Sequence, residues 1–440
     1  MSDKVITFDD LTENQTTCYN DVVKSLLKQK KHIILEGSAG TGKTTTTKFI
    51  LDELRRKGVN GIFIAAPTHQ AKRIISKTTG YDAVTIHKIL KISPSTYENV
   101  ELFEQNGVPD LSECRILVLE EISMYDIKLK ELIMASIPPF CTILGIGDRE
   151  QLPPVQNNPN GDISPFFDDP KFNTTKLTEV IRSNAPIIQV ATDIRNGKWI
   201  YNNIDETGHG VHDVDNINMF LRSYFDFVKT PEDFFENRLM AYKNSNVNAL
   251  NDSVRKVIFK TKDPFIVGET LVMQKPLVRS MIIDGAKLEV MLLENGEYVK
   301  IERIQKINKT FTARDVKDSV EIEYYQIDVS SDESNVNTYI NVIVEELYQN
   351  RLAWFLERVA GTYNEMKRSG ARPNWDDFWI VRKWFQDVKH LPACTVHKSQ
   401  GSTVDRSFVY TECISRADYN IRQKLLYVAS TRARTDVYFY

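Results

Sequence analysis

The chain has 440 residues, of which 42% are hydrophobic and 26% are charged. These are globular values, and at ~150 residues per domain the length allows about two to four domains. They exclude a disordered tail, a collagen-like fibre and a small disulfide-stapled scaffold. The formal net charge of −3 argues against a protein that coats nucleic acid by bulk charge, although it permits one that holds a strand in a narrow groove.

The sequence gives no sign of a membrane or of an oxidising compartment. No run of ~18 apolar residues predicts a transmembrane helix, and the acidic, polar N-terminus does not resemble a signal peptide. The cysteines are scattered and form no C-x-x-C pair, so we expect reduced thiols rather than disulfides or a zinc site. We therefore expect a cytoplasmic protein with five free cysteines, Cys18, Cys114, Cys141, Cys394 and Cys413.

The first part of the chain alternates short apolar runs with helical patterns. The runs are Ile33–Leu35, Ile62–Ala65, Ile116–Leu119 and Thr142–Ile146. Continuous apolar runs of this length are typical of strands buried on both faces of a parallel sheet. A helix is expected from about Thr44 to Arg56, so the pattern predicts an α/β domain with a doubly covered parallel sheet.

A glycine-rich loop follows the first predicted strand and fits the pattern G-x-x-x-x-G-K-[ST] in full. Its glycines let backbone N–H groups approach phosphate oxygens, and the following helix N-terminus adds a positive dipole end. Lys43 would neutralise the β and γ phosphates, and the Thr44 hydroxyl would ligate Mg²⁺. The loop predicts nucleoside triphosphate binding by Gly37, Ser38, Ala39, Gly40, Thr41, Gly42, Lys43 and Thr44.

An acidic pair, Glu120 and Glu121, stands at the end of a later predicted strand. We expect Glu120 to hold Mg²⁺ and Glu121 to polarise the attacking water as a general base. Gln151, in the loop GDREQLPP after the next strand, could contact the γ phosphate and report its loss. Arg182 and Arg432 are candidates for an arginine finger, which stabilises transition-state charge from a second domain.

A second α/β region begins near Leu177. A long stretch interrupts it, in which alternation at period two predicts a small β unit, and helical spacing predicts a helix from Leu347 to Met366. The division that we expect is a first core (1–90 and 111–176), a small insertion (91–110), a second core (177–255 and 389–440) and a large insertion (256–388).

Ordered along the chain, these motifs resemble those of superfamily 1 helicases, in the RecD-like branch called superfamily 1B. Within that branch they are most similar to the Dda-type helicases of T4-like bacteriophages. The match covers residues 11 to 434, nearly the whole chain. Its segments are LTENQ (11–15), GSAGTGKT (37–44), AAPTH (65–69), TIH (85–87), EISMYD (121–126), GDREQLPP (147–154), RSNAP (182–186), RNGKWIY (195–201), HKSQG (397–401) and YVASTRAR (427–434).

The resemblance implies two RecA-like cores with ATP between them. Gln15 would read the adenine, and Gly401 would join Gln151, Arg182 and Arg432 around the γ phosphate. The small insertion would be a strand-separating pin, and the large one an SH3-like barrel with a helical extension. The implied activity is that of an ATP-dependent 5′-to-3′ single-stranded DNA translocase and DNA helicase, with a part in DNA replication and recombination.

The resemblance also implies where nucleic acid would bind. Non-specific binding of a single strand needs phosphate donors along a groove and flat surfaces for bases. The matching donors are Thr68, His69, Thr85 and His87 in the first core and Thr395, His397 and Lys398 in the second. Phe103 in the small insertion would stack on the first base pair at the fork, whereas Trp375, Trp379 and Trp384 are expected to pack their own domain.

The implied partners are single-stranded and fork DNA, with a single-strand binding protein or a replisome component as a further partner. The protein would work as a monomer, without a membrane, in the cytoplasm of the host cell if it comes from a phage.

One position departs from the family pattern, because Glu120 stands where the acidic pair normally begins with aspartate. Glutamate is one methylene longer in a site with near-octahedral demands. The first alternative is therefore a helicase-like nucleic-acid-binding scaffold with impaired hydrolysis. A second alternative, a P-loop small-molecule kinase, is disfavoured by the HKSQG and YVASTRAR segments.

Overall fold

The computed structural model of the protein describes residues 6–97, 100–105, 107–154, 163–181, 185–283 and 286–440, with the backbone alone at 93–97, 100–104, 281–283 and 286–289. The strands are β1 (His32–Gly37), β2 (Ile62–Ala66), β3 (Val84–Thr85), β4 (Ile92–Tyr97), β5 (Val100–Gln105), β6 (Ile116–Leu119), β7 (Thr142–Gly147), β8 (Phe172–Leu177), β9 (Asn203–Ile204), β10 (Gly210–Asp213), β11 (Asn237–Ala241), β12 (Thr270–Met273), β13 (Leu277–Ile283), β14 (Ala286–Leu293), β15 (Tyr298–Phe311), β16 (Val320–Ser331), β17 (Val336–Val342), β18 (Val388–His390), β19 (Ala393–Thr395), β20 (Val404–Val409) and β21 (Ala433–Phe439). The α-helices are α1 (Glu13–Lys24), α2 (Lys43–Arg56), α3 (His69–Thr79), α4 (Ile86–Ile89), α5 (Ile127–Ser136), α6 (Ala185–Arg195), α7 (Ile217–Phe227), α8 (Asn244–Ile258), α9 (Glu346–Arg368), α10 (Trp375–Arg382), α11 (Glu412–Ser415) and α12 (Tyr419–Ser430). Short helical turns span Phe8–Asp10, Ser25–Gln29, Ile122–Met124, Pro231–Phe235 and His397–Ser399.

The first sheet is parallel, with the strand order β3-β2-β6-β7-β1-β8. Neighbouring residues of a strand point to opposite faces, and both faces are buried here. Ile116 and Val118 of β6 join one hydrophobic cluster, while Leu117 and Leu119 join the other. The predicted parallel, doubly covered sheet is confirmed, and the carboxyl ends of its strands meet at one edge.

Strand β8 lies at the edge of this sheet and was not predicted. Half of its residues are exposed, so it lacks the continuous apolar run of the central strands. It pairs with β1 as far as Gly37 and Leu177. The first sheet therefore includes Leu177, the residue near which we expected the second region to begin.

The second sheet has the order β19-β11-β20-β21-β10-β9, in which β9 alone runs antiparallel to its neighbour. The predicted strands around residues 239–242, 408–410 and 437–440 correspond to β11, β20 and β21. Phe408 of β20 stacks on Tyr438 of β21, with ring centroids 4.7 Å apart, and meets Tyr224 of α7 edge-on at 5.1 Å. Aromatic packing thus fixes α7 against the middle of the sheet.

The chain forms two compact units, one of Met1–Ile92, Gly107–Val254 and Pro392–Tyr440, the other of Ser93–Asn106 and Arg255–Leu391. The first unit holds both sheets described above. The second unit holds an antiparallel sheet in the order β17-β16-β15-β12-β18, the hairpin β13–β14 and helices α9 and α10. Because β18 pairs with β12, this sheet runs past residue 388, where we expected the large insertion to end.

The small insertion forms the hairpin β4–β5 and groups with the second compact unit. Helix α9 confirms the predicted helix from Leu347 to Met366. The three tryptophans pack in one cluster with Phe311 and Tyr363, which confirms their expected packing role. Among the helices of the described residues, none has the length and apolar character needed to cross a lipid bilayer.

Candidate functional site

The glycine-rich loop connects β1 to α2 at the carboxyl edge of the first sheet. Gly40 and Gly42 have φ of 85° and 79°, a conformation that favours glycine. A Cβ on Gly42 would lie 2.3 Å from Gln15 Nε2, so a larger residue would displace the glutamine. The predicted strand–loop–helix context of the motif is therefore present.

Lys43 folds over this loop as the first residue of α2. Its Nζ donates hydrogen bonds to the carbonyl oxygens of Gly37 and Ser38, at 2.8 and 3.0 Å. These acceptors hold the ammonium group over the concave side of the loop. Phosphate oxygens carry more negative charge than carbonyls and would compete for the same donors.

Gln15 is buried, 2% exposed, and packs on the other side of the loop. Its Nε2 donates to Thr41 O at 3.0 Å, and its Oε1 accepts from the backbone N–H of Thr12 at 3.0 Å. Each amide atom has capacity for one further hydrogen bond. Gln15 thus both caps α1 and fixes the position of the phosphate loop.

The acidic pair follows β6, two strands from the loop in the sheet. Both carboxylates are buried, and each Oε2 lacks a hydrogen-bond partner among the described residues. Glu121 adopts a left-handed backbone conformation with φ of 49°, a strained state for a non-glycine residue. Burial and, after it, the charge of Glu121 raise the pKa of the Glu120 carboxyl to about 8, against the opposing effect of Lys43.

More buried polar atoms lie in this region without a hydrogen-bond partner among the residues that the structure describes. They are Thr46 Oγ1 in α2 and, in the turn after the acidic pair, Ser123 Oγ and Tyr125 Oη. Buried polar atoms in native proteins are normally satisfied. Orphaned oxygens beside two carboxylates therefore fit a polar ligand, such as a hydrated divalent cation.

The loop after β7 brings Asp148 and Gln151 to the same edge, and both are 2% exposed. Gln400 of the second core donates from Nε2 to Gln151 Oε1 at 3.5 Å. The next residue, Gly401, has φ of 79°, and a Cβ there would lie 4.0 Å from Ala71 of α3. The loops that contain Gln151 and Gly401 are thus in contact across the two cores.

Arg432 lies just before β21 and is 2% exposed. Its guanidinium donates to the carbonyls of Val428 and Ser402 and to the hydroxyl of Thr431, at 3.1, 3.3 and 3.2 Å. Burial lowers the pKa of Arg432, and the nearby charges of Glu121 and Asp148 act in the opposite direction. The guanidinium therefore lies within electrostatic reach of Glu121 and Asp148. Arg182 falls outside the described residues.

Sequence reasoning missed the residues that join the cores most closely, Tyr427 and Lys424 of α12. The Tyr427 hydroxyl donates to Asp148 Oδ2 at 2.7 Å and accepts from the Ala39 N–H at 3.2 Å. Lys424 Nζ donates to the carbonyls of Arg149 and Gln151, at 3.3 and 3.2 Å. Tyr427 stands in the YVASTRAR segment, but nothing in the sequence links it to partners hundreds of residues away.

The predicted DNA contacts of the first core lie after β2 and β3, at one end of the strand order. Thr68 and Thr85 begin α3 and α4, and their hydroxyls accept from the N–H groups of Ala71 and Lys88, at 3.1 and 3.4 Å. A capping hydroxyl uses a lone pair and keeps its own hydrogen for donation. Burial, followed by the charge of His69, lowers the pKa of His87, so these imidazoles lie close together.

The predicted contacts of the second core follow β19, the edge strand of its sheet. Thr395 Oγ1 accepts from the Lys398 N–H at 3.3 Å. The His397 ring stacks on Tyr242 with centroids 5.9 Å apart, and burial lowers its pKa. In both cores, therefore, a threonine hydroxyl accepts from the backbone N–H three residues later, and a histidine follows that threonine by one or two positions. The side chain of Phe103 lies outside the described part of the structure.

Strand order separates the two kinds of candidate residue at the edge of the first sheet. The phosphate loop follows β1, Gln151 follows β7 and the acidic pair follows β6, whereas Thr68 follows β2 and Thr85 is the last residue of β3. Adjacent strands lie about 4.8 Å apart, so the two groups are neighbours without overlapping. One edge can therefore hold a nucleotide and a second, extended ligand side by side.

Three family models match the chain. The model of the Dda helicase SH3 domain matches residues 262–390, the AAA domain residues 20–157, and the UvrD-like helicase C-terminal domain residues 390–440. These matches assign an ATPase domain to the first sheet and a helicase domain to the end of the chain. They also assign an SH3 domain to the antiparallel sheet.

Two solved structures share the fold. A structure of Pif1 helicases described as unwinding forked double-stranded DNA has a TM-score of 0.53 at 18% identity, covering 99% of this chain and 92% of that one. Pif1 from Bacteroides with ADP-AlF3 and single-stranded DNA has a TM-score of 0.51 at 19% identity, with the same coverage. The expected α/β fold with two RecA-like cores and an SH3-like insertion is in agreement with these likenesses.

Curated relatives extend the match to the full length. The ATP-dependent DNA helicase dda of Enterobacteria phage T4 is 47% identical over 442 residues, which is 99% of this chain and 100% of that protein. The ATP-dependent RecD2 DNA helicase of Deinococcus radiodurans is 32% identical over 168 residues, 38% of this chain and 22% of that one. The chain therefore belongs to the Dda helicase family and is an ATP-dependent DNA helicase.

Proposed function

We propose that this helicase is a 5′-to-3′ translocase on single-stranded DNA that uses ATP and Mg²⁺ to unwind fork DNA. The observation that supports this most is the sorting of residues at the edge of the first sheet. Phosphate-binding elements and threonine–histidine pairs lie on neighbouring strands, and the second core adds a matching pair after β19. Binding or hydrolysis of the nucleotide can therefore shift DNA-binding groups that lie only a few β-strands away in the same sheet.

In this proposal the nucleotide is held mainly by the first core. The backbone of Gly37 to Thr44 surrounds the phosphates, Lys43 moves from its loop carbonyls to the β and γ phosphates, and Gln15 reads the adenine. Glu121 accepts a proton from the attacking water. Gln151, Arg182, Gly401 and Arg432 contact or stabilise the γ phosphate, and the arginines oppose its growing negative charge.

Thr44 and Glu120 would hold Mg²⁺. The orphaned carboxylate oxygens of the acidic pair fit a cation, whereas no group of three or more His, Cys, Asp or Glu side chains in the described chain could hold a metal alone. Magnesium commonly takes few protein ligands and completes its shell with water and substrate phosphates. When bound, it would neutralise charge on the β and γ phosphates.

DNA would pass over Thr68, His69, Thr85 and His87 and then over the second core. The threonine hydroxyls donate their remaining O–H to phosphate oxygens, and the imidazole N–H groups add further donors. Thr395, His397 and Lys398 supply the second contact. When ATP draws the cores together and hydrolysis releases them, alternating affinity of the two contacts turns each cycle into a step.

The hairpin β4–β5 would be the pin that separates strands, with Phe103 stacked on the first base pair. Its grouping with the second compact unit supports the idea that the SH3-like and helical region braces the pin. We propose that the two cores (1–90 with 111–176, and 177–255 with 389–440) bind ATP and DNA. The insertions would separate the strands (91–110) and brace the pin (256–388). A monomer would carry all four parts, and a single-strand binding protein or replisome component would be a further partner.

The 5′-to-3′ direction is tested by strand displacement. Two duplexes of the same sequence carry a single-stranded tail of equal length, one at the 5′ end and one at the 3′ end. We expect ATP-dependent unwinding of the 5′-tailed duplex at a rate at least about tenfold higher. Equal rates, or preference for the 3′ tail, would refute the direction, and an RNA tail on a third duplex would report strand preference.

A scaffold with impaired hydrolysis is the second candidate, and Glu120 favours it. Burial and the charge of Glu121 raise the pKa of this carboxyl, and its side chain is one methylene longer than the aspartate of the family pattern. A carboxylate displaced by this extra length would fit the near-octahedral geometry of Mg²⁺ less well. The scaffold would bind DNA in an ATP-dependent manner without turnover.

A further inference from the structure

A buried hydroxyl of helix α12 contacts two loops of the first core. Tyr427 is 2% exposed, and its Oη lies 2.7 Å from Asp148 Oδ2 and 3.2 Å from the Ala39 backbone nitrogen. The hydroxyl donates to the carboxylate and accepts from the amide. One atom of the second core therefore connects the phosphate loop with the loop that leads to Gln151.

The surroundings hold this hydroxyl in place. Arg195 of α6 lies over the Tyr427 ring, with its guanidinium carbon 5.6 Å from the centroid. Three residues earlier in α12, Lys424 donates to the carbonyls of Arg149 and Gln151. Residues at this spacing share a helix face, so one face of α12 is docked along the loop from Asp148 to Gln151.

The same helix fixes the candidate arginine finger. Arg432 follows α12 and donates to the carbonyl of Val428, a residue of that helix. A shift of α12 relative to the first core would therefore move Arg432 with it. Asp148 also accepts a hydrogen bond from the Glu150 N–H at 3.0 Å, so its carboxylate orders the Gln151 loop from within.

We propose that Tyr427 is a positioning residue for ATP hydrolysis, whose hydroxyl aligns the phosphate loop, the Gln151 loop and Arg432 across the two cores. The inference rests on the roles proposed above for Gln151 and Arg432. Tyr427 acts through them and does not itself touch the reacting atoms. Burial and the adjacent Asp148 raise the pKa of Tyr427, so the hydroxyl keeps the proton that it donates.

Removal of the hydroxyl should affect turnover more than binding. In Tyr427→Phe the ring and its packing remain, while Asp148 Oδ2 loses its donor and the Ala39 N–H loses its acceptor. Misplacement of catalytic groups by about 1 Å costs on the order of 10²-fold in rate. We expect kcat for DNA-stimulated hydrolysis to fall about 10- to 100-fold, with KM for ATP and affinity for ADP changed by less than about threefold.

Tyr224→Phe is the matched control. Tyr224 is also fully buried in the second core, but its hydroxyl has no hydrogen-bond partner within the described residues. The full-length chain and both variants are compared by steady-state ATPase assays with and without single-stranded DNA, together with thermal melting. The proposal is overturned if Tyr427→Phe keeps the unaltered kcat, or if Tyr224→Phe loses as much.

A second variant probes the same contact without touching α12. Asp148→Asn removes the charge that accepts the hydroxyl, and it should also lower kcat at nearly constant KM. In the double variant the losses should not multiply, because contacting residues that act as a unit are not additive. Should Tyr427→Phe fail to fold, an Asp148→Asn chain with unaltered kcat would overturn the proposal.

Arg432→Ala separates this inference from the proposed function. If Arg432→Ala hydrolyses ATP normally, the proposed arginine finger is wrong whatever Tyr427→Phe does. If Arg432→Ala is inactive and Tyr427→Phe has full activity, only the role of Tyr427 is lost.

Discussion

Burial determines the chemistry of the side chains at the proposed nucleotide site. Glu120, Glu121, Gln151 and Arg432 are each at most 9% exposed, so charges there interact through a medium of lower dielectric than water. In the proposed mechanism, Arg432 responds when phosphate charge enters the site beside Glu121. The residue types were predictable from the motifs, whereas their burial was not.

Arg432→Ala tests the response of this arginine. We expect kcat for ATP hydrolysis to fall on the order of 10³-fold, with nucleotide affinity largely retained, because the phosphate loop remains intact. Steady-state kinetics and ADP binding measure the two effects. Arg434→Ala is the control, since Arg434 is half exposed and pairs with Asp405 and Glu236; an equal loss in that variant would remove the special role of Arg432.

Thr68 combines a structural and a proposed binding role, which two substitutions can separate. Aspartate and asparagine both cap helices at least as well as threonine, so neither Thr68→Asp nor Thr68→Asn should lower the melting temperature appreciably. The aspartate adds a negative charge beside a phosphate backbone. We expect affinity for single-stranded DNA to fall about tenfold or more in Thr68→Asp and less in Thr68→Asn, because the added charge repels phosphate. Fluorescence anisotropy at fixed salt measures both affinities. If the two variants bind DNA equally well, the DNA does not pass beside Thr68.

The sequence motifs identified the phosphate loop, the acidic pair and the loop of Gln151, because each is a local pattern with a local structural context. Tyr427, Lys424 and Asp148 were not identified as a contact. Their hydrogen bonds join residues more than 270 positions apart along the chain. Long-range pairing of this kind is a property of the fold and leaves no periodic signal.

The order of the β-strands in the first sheet determines which candidate residues lie next to one another. Apolar runs predicted the central strands β1, β2, β6 and β7, which are buried on both faces. They did not predict edge strand β8, half of whose residues face solvent, or the two-residue strand β3. The order of strands, which separates ATP-binding from DNA-binding candidates, came only from the structure.

In the second sheet, Asp436 connects three strands. Its buried carboxylate accepts from the Gly210 N–H and lies within 3.4 Å of the His209 and His212 rings of the β10 region and of Arg406 Nε in β20. These hydrogen bonds outweigh the opposing effect of burial and lower the pKa of Asp436 to about 2, from an ordinary 3.8. The carboxylate therefore stabilises the fold above pH 3.8, and this contribution is lost as the pH falls towards 2.

Asp436→Asn should lower the free energy of unfolding by about 2 kcal/mol at neutral pH. The difference from the unaltered chain should shrink as the pH falls from about 5 to about 3. Urea unfolding across that range measures it. Asp405→Asn, which removes an exposed ion pair with Arg434, should cost less than about 1 kcal/mol, and a pH-independent difference for Asp436→Asn would contradict the assigned role.

The hairpin β4–β5 is the element whose proposed role is easiest to isolate. Phe103→Ala should leave DNA-stimulated ATP hydrolysis unchanged and reduce unwinding of fork DNA severalfold, because stacking of an aromatic ring on a base contributes about 1–3 kcal/mol. Val108→Ala, just outside the hairpin and 84% exposed, is the control. Normal unwinding by Phe103→Ala would show that Phe103 is not the wedge.

In the proposed mechanism, nucleotide binding couples the two sheets of the first unit, in a chain whose net charge is near zero. The balance of −3 fits a protein that binds a strand locally through hydroxyls, imidazoles and a few cations. Membership of the Dda family establishes the helicase activity. Glutamate at position 120 is the point at which this chain departs from the motif pattern of the family.

Steady-state ATP hydrolysis with Mg²⁺, measured with and without single-stranded DNA, tests the motor most directly, with Glu120→Asp as the internal reference. We predict that single-stranded DNA stimulates hydrolysis by the unaltered chain at least about tenfold and that Glu120→Asp behaves similarly. Hydrolysis that appears only in Glu120→Asp would contradict this account and identify a helicase fold that binds strands without moving along them.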